Sequence, residues 1–214
     1  MGVDVVDEVV RSRRKTLALI VQPNGRVVVR APLRTSQKII DTFITSKQDW
    51  IEKTRKTQLE RAKKYPVHHF LPGDQFWYLG KQYSLQIVAA QRPALQFKFG
   101  FYLDQKSMPQ AKTRFEAWYR QQARLYLSER VNHYASLHHF YFKQVKITSA
   151  RTRWGSCSGR GTISFTWRLI MAPPEIIDYV VIHELAHTVH HNHSRDFWDL
   201  VGKLLPDYAT RRKW

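Results

Sequence analysis

Hydrophobic positions in the first third of the chain alternate and then change period. Thr16 to Val21 and Arg26 to Ala31 read as two strands joined at Pro23-Asn24-Gly25, a run with the turn chemistry of a hairpin. From Ser36 to about Lys64 the apolar residues Ile39, Ile40, Phe43, Ile44, Trp50 and Ile51 recur at helical spacing. Ser36 is placed to cap that helix and Pro66 to stop it. Three apolar runs follow, Gln75 to Tyr78, Gln82 to Val88 and Leu95 to Leu103, separated by Pro72-Gly73, Leu79-Gly80-Lys81 and Arg92-Pro93. Beyond Pro109 a long helix is expected, with Phe115, Tyr119, Tyr126, Val131 and Tyr134 on one face and Arg120, Arg124 and Arg130 on a solvated one. Strands are then expected at Gln144 to Ser149 and Thr162 to Leu169, joined through the turn-rich Gly155 to Gly161. Pro173-Pro174 starts a helix running from Glu175 to about His190, and a last helix spans roughly Ser194 to Leu205 before Pro206. The pattern predicts an α+β protein. Its expected parts are a mixed, β-rich N-terminal lobe with one long helix over residues 1–108 and an α+β lobe over 109–214.

Composition narrows the class without naming a function. The 214 residues carry 35 Lys and Arg against 17 Asp and Glu, a formal charge of +18. The excess is spread along the chain and is not confined to a tail. Such a field attracts nucleic acid, nucleotides or acidic proteins, in a salt-dependent way. A 43% hydrophobic and 13% aromatic content excludes a disordered basic tail. No run approaches the ~20 apolar residues of a membrane span, so no membrane partner is expected. Met1 to Val10 is acidic and lacks a basic-then-apolar leader pattern. Cys157, the single cysteine, has no internal disulfide partner. These features predict a soluble, intracellular, cytoplasmic protein.

The chemistry concentrates at His183-Glu184-Leu185-Ala186-His187, an H-E-x-x-H within the predicted helix. At 100° per residue His183 and His187 lie about 40° apart, one turn along the same face, where two imidazoles can share a metal ion. Glu184 lies about 100° round from His183, beside the metal but off the ligand face, which suits a base acting on an activated water. Zinc needs a third protein ligand with one position left open. His193, six residues after His187, has the spacing of a chain that turns back after the helix, with His191 or a distant Glu as alternatives. Asn192 is the expected left-handed pivot of that turn. Tyr179, Tyr208, His190, His191, Arg153 and Arg195 are candidates to stabilise an oxyanion, and Asp196 or Asp199 to orient a ligand imidazole. Arg153 and Trp154, at the start of a candidate edge strand, are the expected substrate-binding residues. Cys157 is read as a small half-buried thiol in preference to a fourth metal ligand, and His68-His69 and His138-His139 as ordinary surface pairs.

Several runs together resemble the YgjP-like metallopeptidase family. They are Arg153-Trp154-Gly155-Ser156-Cys157, Arg168-Leu169, Ala172-Pro173, Asp178 through His187, Asn192-His193-Ser194 and Phe197-Trp198. Weaker N-terminal pieces agree: Ser12-Arg13-Arg14, Arg30-Ala31-Pro32 and Asp49-Trp50-Ile51. That family is similar to the SprT-like, gluzincin-type zinc peptidases. The resemblance implies a zincin-like C-terminal lobe, a zinc site of His183, His187 and His193, and Glu184 as the catalytic residue. The expected function is thus a zinc-dependent metallopeptidase acting on a protein or peptide. Two alternatives remain: a zinc-dependent phosphoanhydride hydrolase acting on a nucleotide held by arginines, and a basic nucleic-acid-binding protein with a structural metal.

Overall fold

The computed structural model describes residues 5–64 and 69–214, with no side chains given for residues 61–64. Pro66 and His68 lie outside the described residues. Contacts divide the chain into two units, one ending at residue 68 and the other running from His69 to Trp214.

In the first unit β1 (Glu8–Ser12), β2 (Ala18–Val21) and β3 (Val27–Pro32) form a sheet of order β1-β3-β2. The expected hairpin is the antiparallel β2/β3 pair, and Gly25 takes the positive φ of 81° that its turn requires. The exposed strand β1, which pairs parallel to β3, was not apparent from the pattern of its short Val-rich run. The single helix expected after Ser36 is two, α1 (Gln37–Thr45) and α2 (Gln48–Lys64). The break lies at Ser46 and Lys47, where the backbone tightens through Lys47 N–H to the Ile44 carbonyl. Ser36 sits at the N-cap but makes no side-chain capping bond. Val27, Val29, Ile40, Ile44 and Ile51 form this unit's core.

The second unit begins with β4 (Gln75–Tyr78), β5 (Lys81–Val88), β6 (Leu95–Phe97) and β7 (Phe101–Asp104), in the order β4-β5-β7-β6. The apolar run expected as one strand over Leu95 to Leu103 is the β6/β7 hairpin, turned at Lys98-Phe99-Gly100. A 3-10 segment leads into α3 (Ala111–His138), which buries Phe115, Tyr119, Ala123, Leu127 and Val131 in a strict i+4 series. Tyr126 and Tyr134, expected on the same face, are partly buried and pack against the margin of this core. Strands β8 (Gln144–Thr148), β9 (Gly155–Cys157) and β10 (Thr162–Thr166) form a second sheet of order β8-β10-β9, with β8 parallel and β9 antiparallel to β10. The alternation expected to carry β10 to Leu169 instead passes into a 3-10 turn over Trp167–Met171. Three helices close the chain: α4 (Pro174–Ala186), α5 (Arg195–Leu204) and α6 (Tyr208–Arg211).

The division at residue 68 differs from the boundary expected at 108, and the packing gives the reason. Phe76, Leu85, Phe101 and Leu103 of the four-stranded sheet share one core with Phe115 of α3, Phe165 of β10 and Ile177 and Val181 of α4. The β4–β5 turn also grips the entry to α4. Leu79 and Gly80 donate N–H bonds to the carbonyls of Ile170 and Met171, and a Cβ on Gly80 would lie 2.7 Å from Pro173 Cα. Gly80 (φ 77°) is thus needed both for its backbone conformation and for that approach. Among the described residues no helix is long and apolar enough to cross a membrane.

Candidate metal centre

Helix α4 starts with Pro174 at its first turn and carries Ile176, Ile177, Val180, Val181, Ile182 and Leu185 into the core. It ends at Ala186, one turn earlier than its periodicity suggests. His187 is the C-cap, and a turn over 187–190 is closed by His190 N–H to the Ala186 carbonyl and Thr188 Oγ1 to the Leu185 carbonyl. The turn that carries the chain to His193 does not pivot on Asn192. Among the described residues the positive-φ non-glycines are Phe70, Leu79 and His139. Tight bonding after Ala186 reverses the chain without a left-handed residue.

Each ligating atom of His183, His187 and His193 lies within 4.8 Å of the others, and they form the one such cluster of His, Cys, Asp or Glu among the described residues. His183 Nε2 and His193 Nε2 are 3.0 Å apart. Two nitrogens bound tetrahedrally at about 2.0–2.1 Å stand about 3.3 Å from each other, so this spacing fits a shared zinc ion. His187 Nδ1 lies 3.0 Å from the His190 carbonyl, which selects the tautomer that leaves Nε2 as the free acceptor. His190 therefore enters the site through its backbone. Burial, with the neighbouring His187, His193 and Arg212, pushes His183 down to about 4, so that imidazole is neutral and able to ligate at neutral pH. His187 is also lowered, chiefly by burial.

Phe197 supports all three rings. It is fully buried, and its centroid lies 4.9, 4.5 and 4.9 Å from those of His183, His187 and His193. Trp198 stacks on His193 at 5.6 Å. Ser194 caps α5 by accepting from Phe197 N–H, so the residue after His193 fixes the helix that supplies this platform.

Glu184 is 5% exposed, and its Oε2 is buried with no hydrogen-bond partner among the described residues. Burial pushes its carboxyl up to about 7, opposed by the charge of Arg153. Strand β9 lies against it: a Cβ on Gly155 would meet Glu184 Oε1 at 2.5 Å. Gly155 is thus a glycine because the carboxyl occupies the space of its side chain. Cys157, half-buried on the same strand, is raised by burial and then by Glu184, and it is not part of the histidine cluster.

The remaining candidates separate. Arg153 and Trp154 lead into β9 and line a small pocket of about 120 Å³ with Thr148, Ser156 and Ser164. Trp154 also meets the ring of Trp214 at 6.0 Å. Tyr179 lies 5.8 Å from His183, ring to ring, and Tyr208 stacks on Trp198 at 5.5 Å. Arg195 is 93% exposed and pairs with Asp199, and Asp196 is exposed, so these three stand on the solvent side of α5. His138 and His139 end α3, with His139 as its left-handed cap. Arg212 was not among the candidates. Its guanidinium lies 4.5 Å above the Trp198 ring, and its charge acts on both His183 and Tyr179. No pattern in the basic C-terminal run singles it out; only the packing of α6 does.

Three converging imidazoles, with a buried carboxyl one residue after the first, make a donor set able to hold a metal ion. The family comparison gives the class: residues 15–214 match the family described as YgjP-like, metallopeptidase domain, and the chain belongs to it. A solved structure, the metallopeptidase zymogen of Pyrococcus abyssi abylysin, is similar at 26% identity over 39% of this chain and 85% of that chain, with a TM-score of 0.36. No curated protein matches the chain.

Proposed function

We propose that this chain is a zinc-dependent metallopeptidase in which His183, His187 and His193 hold the ion and Glu184 is the general base. One observation supports the reading: three imidazole ligand atoms converge, and the residue after the first carries a buried carboxyl whose Oε2 has no hydrogen-bond partner among the described residues. When bound there, zinc polarises a carbonyl and brings the pKa of water toward neutrality. Glu184, poised near neutrality by burial, takes the proton from the attacking water and returns it to the leaving amine. Arg212 and Tyr179, beside His183, offset the negative charge that develops on the carbonyl oxygen.

The peptide bond is favoured over a phosphoanhydride by strand β9. Ser158 N–H and the Trp154 carbonyl bond to Thr162 and Thr166 of β10, so alternation turns the backbone groups of Gly155 and Cys157 to the open edge of the sheet. An extended peptide pairs along that edge past Glu184, with Arg153 and Trp154 at its end. A nucleotide makes no use of that edge.

The test is metal content of the purified chain beside its variants. The native protein should hold about one equivalent of zinc, lost in His187→Ala and in His193→Ala. Glu184→Gln should keep the zinc and lower peptide turnover by about 10²–10⁴-fold. Zinc retained in His193→Ala would move the third ligand elsewhere. Nucleotide hydrolysis without peptide cleavage would replace the peptidase reading.

A further inference from the structure

The second unit carries a concave basic surface on an element that the metal centre does not use. A groove of about 640 Å³ runs between β6 and the first turns of α3. Three cations line it, Arg92, Lys98 and Arg114, with no acidic residue among its lining and none of the three in an ion pair among the described residues. Its lining includes the half-buried rings of Phe97 and Trp118, which sit 5.6 Å apart in a cluster anchored on buried Phe101. At the turn between β6 and β7, next to Lys98, Phe99 is 98% exposed. That turn is short and braced by Lys98 N–H to the Gly100 carbonyl, so the ring is held out on a stiff support. Phe99 is thus presented to solvent next to one of these cations, Lys98.

We propose that this groove binds single-stranded nucleic acid, its phosphates on Arg92, Lys98 and Arg114 and its bases stacked on Phe99 and the open part of Trp118. Cations tracking a backbone, alternating with aromatic faces, are what an unpaired strand requires. An acidic peptide would use the charges and leave the aromatic rings idle. A duplex hides the base faces that Phe99 would meet. An anionic membrane would accept Phe99 and the cations, yet a flat surface cannot fill a groove with Trp118 in its lining. The surface is independent of the peptidase reading, because among the described residues the groove's lining shares no residue with the histidine cluster, Glu184 or the pocket beside β9.

The experiment is fluorescence anisotropy of a labelled oligo-thymidine with the full-length protein across a salt series. All substituted positions are exposed, and thermal melts check the fold. The triple variant Arg92→Ala, Lys98→Ala, Arg114→Ala should weaken binding roughly thirtyfold near physiological salt. Its log–log salt slope should be shallower by about 2, from three lost single-strand phosphate contacts. Phe99→Ala alone should cost about five- to tenfold with the salt slope unchanged, since stacking is not a counterion effect. A control removing the same charge elsewhere, Lys38→Ala, Lys53→Ala, Lys56→Ala, should stay within about twofold of native. Equal weakening by both triples would reduce the effect to bulk charge and overturn the proposal. Tighter binding to duplex of the same length would also overturn it, as would equal, groove-dependent binding of oligo-glutamate or of anionic vesicles.

Discussion

Gly155→Ala isolates the contact between β9 and the Glu184 carboxyl. Gly155 has an ordinary backbone conformation, so alanine is tolerated by the chain and the substitution adds a single methyl group. That methyl would stand 2.5 Å from Glu184 Oε1, 2.7 Å from Cγ and 2.8 Å from Cδ, nearly an ångström inside the 3.4 Å at which ordinary contact begins. Among the described residues the carboxyl has no partner at Oε2 to hold it, so the side chain should yield before the strand does. A rotamer displaced in this way costs about 0.5–1.5 kcal/mol, a melting shift of a few degrees. The effect on catalysis is larger, because about 1 Å of misplacement costs of order 100-fold. Zinc content should not change, as Glu184 is not a ligand in the proposed site. The assay is kcat/KM on a peptide that the native enzyme cleaves, for Gly155→Ala, Glu184→Ala and the double variant. If the methyl acts through Glu184, the double variant should be no slower than Glu184→Ala within about twofold, since residues acting as a unit are not additive. Activity within threefold of native, loss of zinc, or multiplicative losses in the double variant would each refute the argument.

Other expectations follow from the same packing. Phe197→Ala removes the buried ring under all three imidazoles and should cost about 3–5 kcal/mol together with weaker zinc binding, read from melts with and without metal. Arg130 and Asp178 form a bidentate pair at 2.7 and 3.0 Å, less than a quarter exposed, that ties α3 to α4. Asp178→Ala should therefore destabilise by about 3 kcal/mol in denaturant melts, and the double variant Arg130→Met, Asp178→Leu by clearly less. Burial, and then the Glu184 carboxylate, raise the Cys157 thiol, so its thiolate is scarce at neutral pH. Alkylation should be slower than for free cysteine at pH 8 and should accelerate only above the usual thiol range.

What could be read from the chain was local. His183 and His187 sit one turn apart because four residues separate them on a helix, and the six-residue step to His193 brings its Nε2 within 3.0 Å of His183 Nε2. Sequence alone did not show where α4 ends, because the apolar period runs on past Ala186. The stop is made by bonds from Thr188, His190 and the His187 ring, which depend on how the turn closes. The boundary expected at residue 108 followed a change of composition, whereas the unit follows shared burial of Phe76, Phe101 and Phe115. Gly155 against Glu184 and Arg212 beside His183 join residues about thirty apart in sequence, and no periodicity encodes contacts at that range.

Burial falls steeply across the centre, and this constrains how a substrate approaches in the proposed reading. Glu184 is sealed between α4 and β9, His183 and His187 are half-buried, and His193 is exposed. Solvent and substrate therefore reach the three imidazoles from the side of His193, Trp198 and Arg212. In the proposed reading a peptide paired on the β9 edge passes Glu184, and Arg212, whose charge acts on His183, is the cation offered to the negative charge that arises there. Glu184 then meets water only where the substrate leaves room for it. Burial raises the carboxyl toward neutrality, and in the proposed reading it would limit the proton Glu184 takes to one from a water beside the bound peptide.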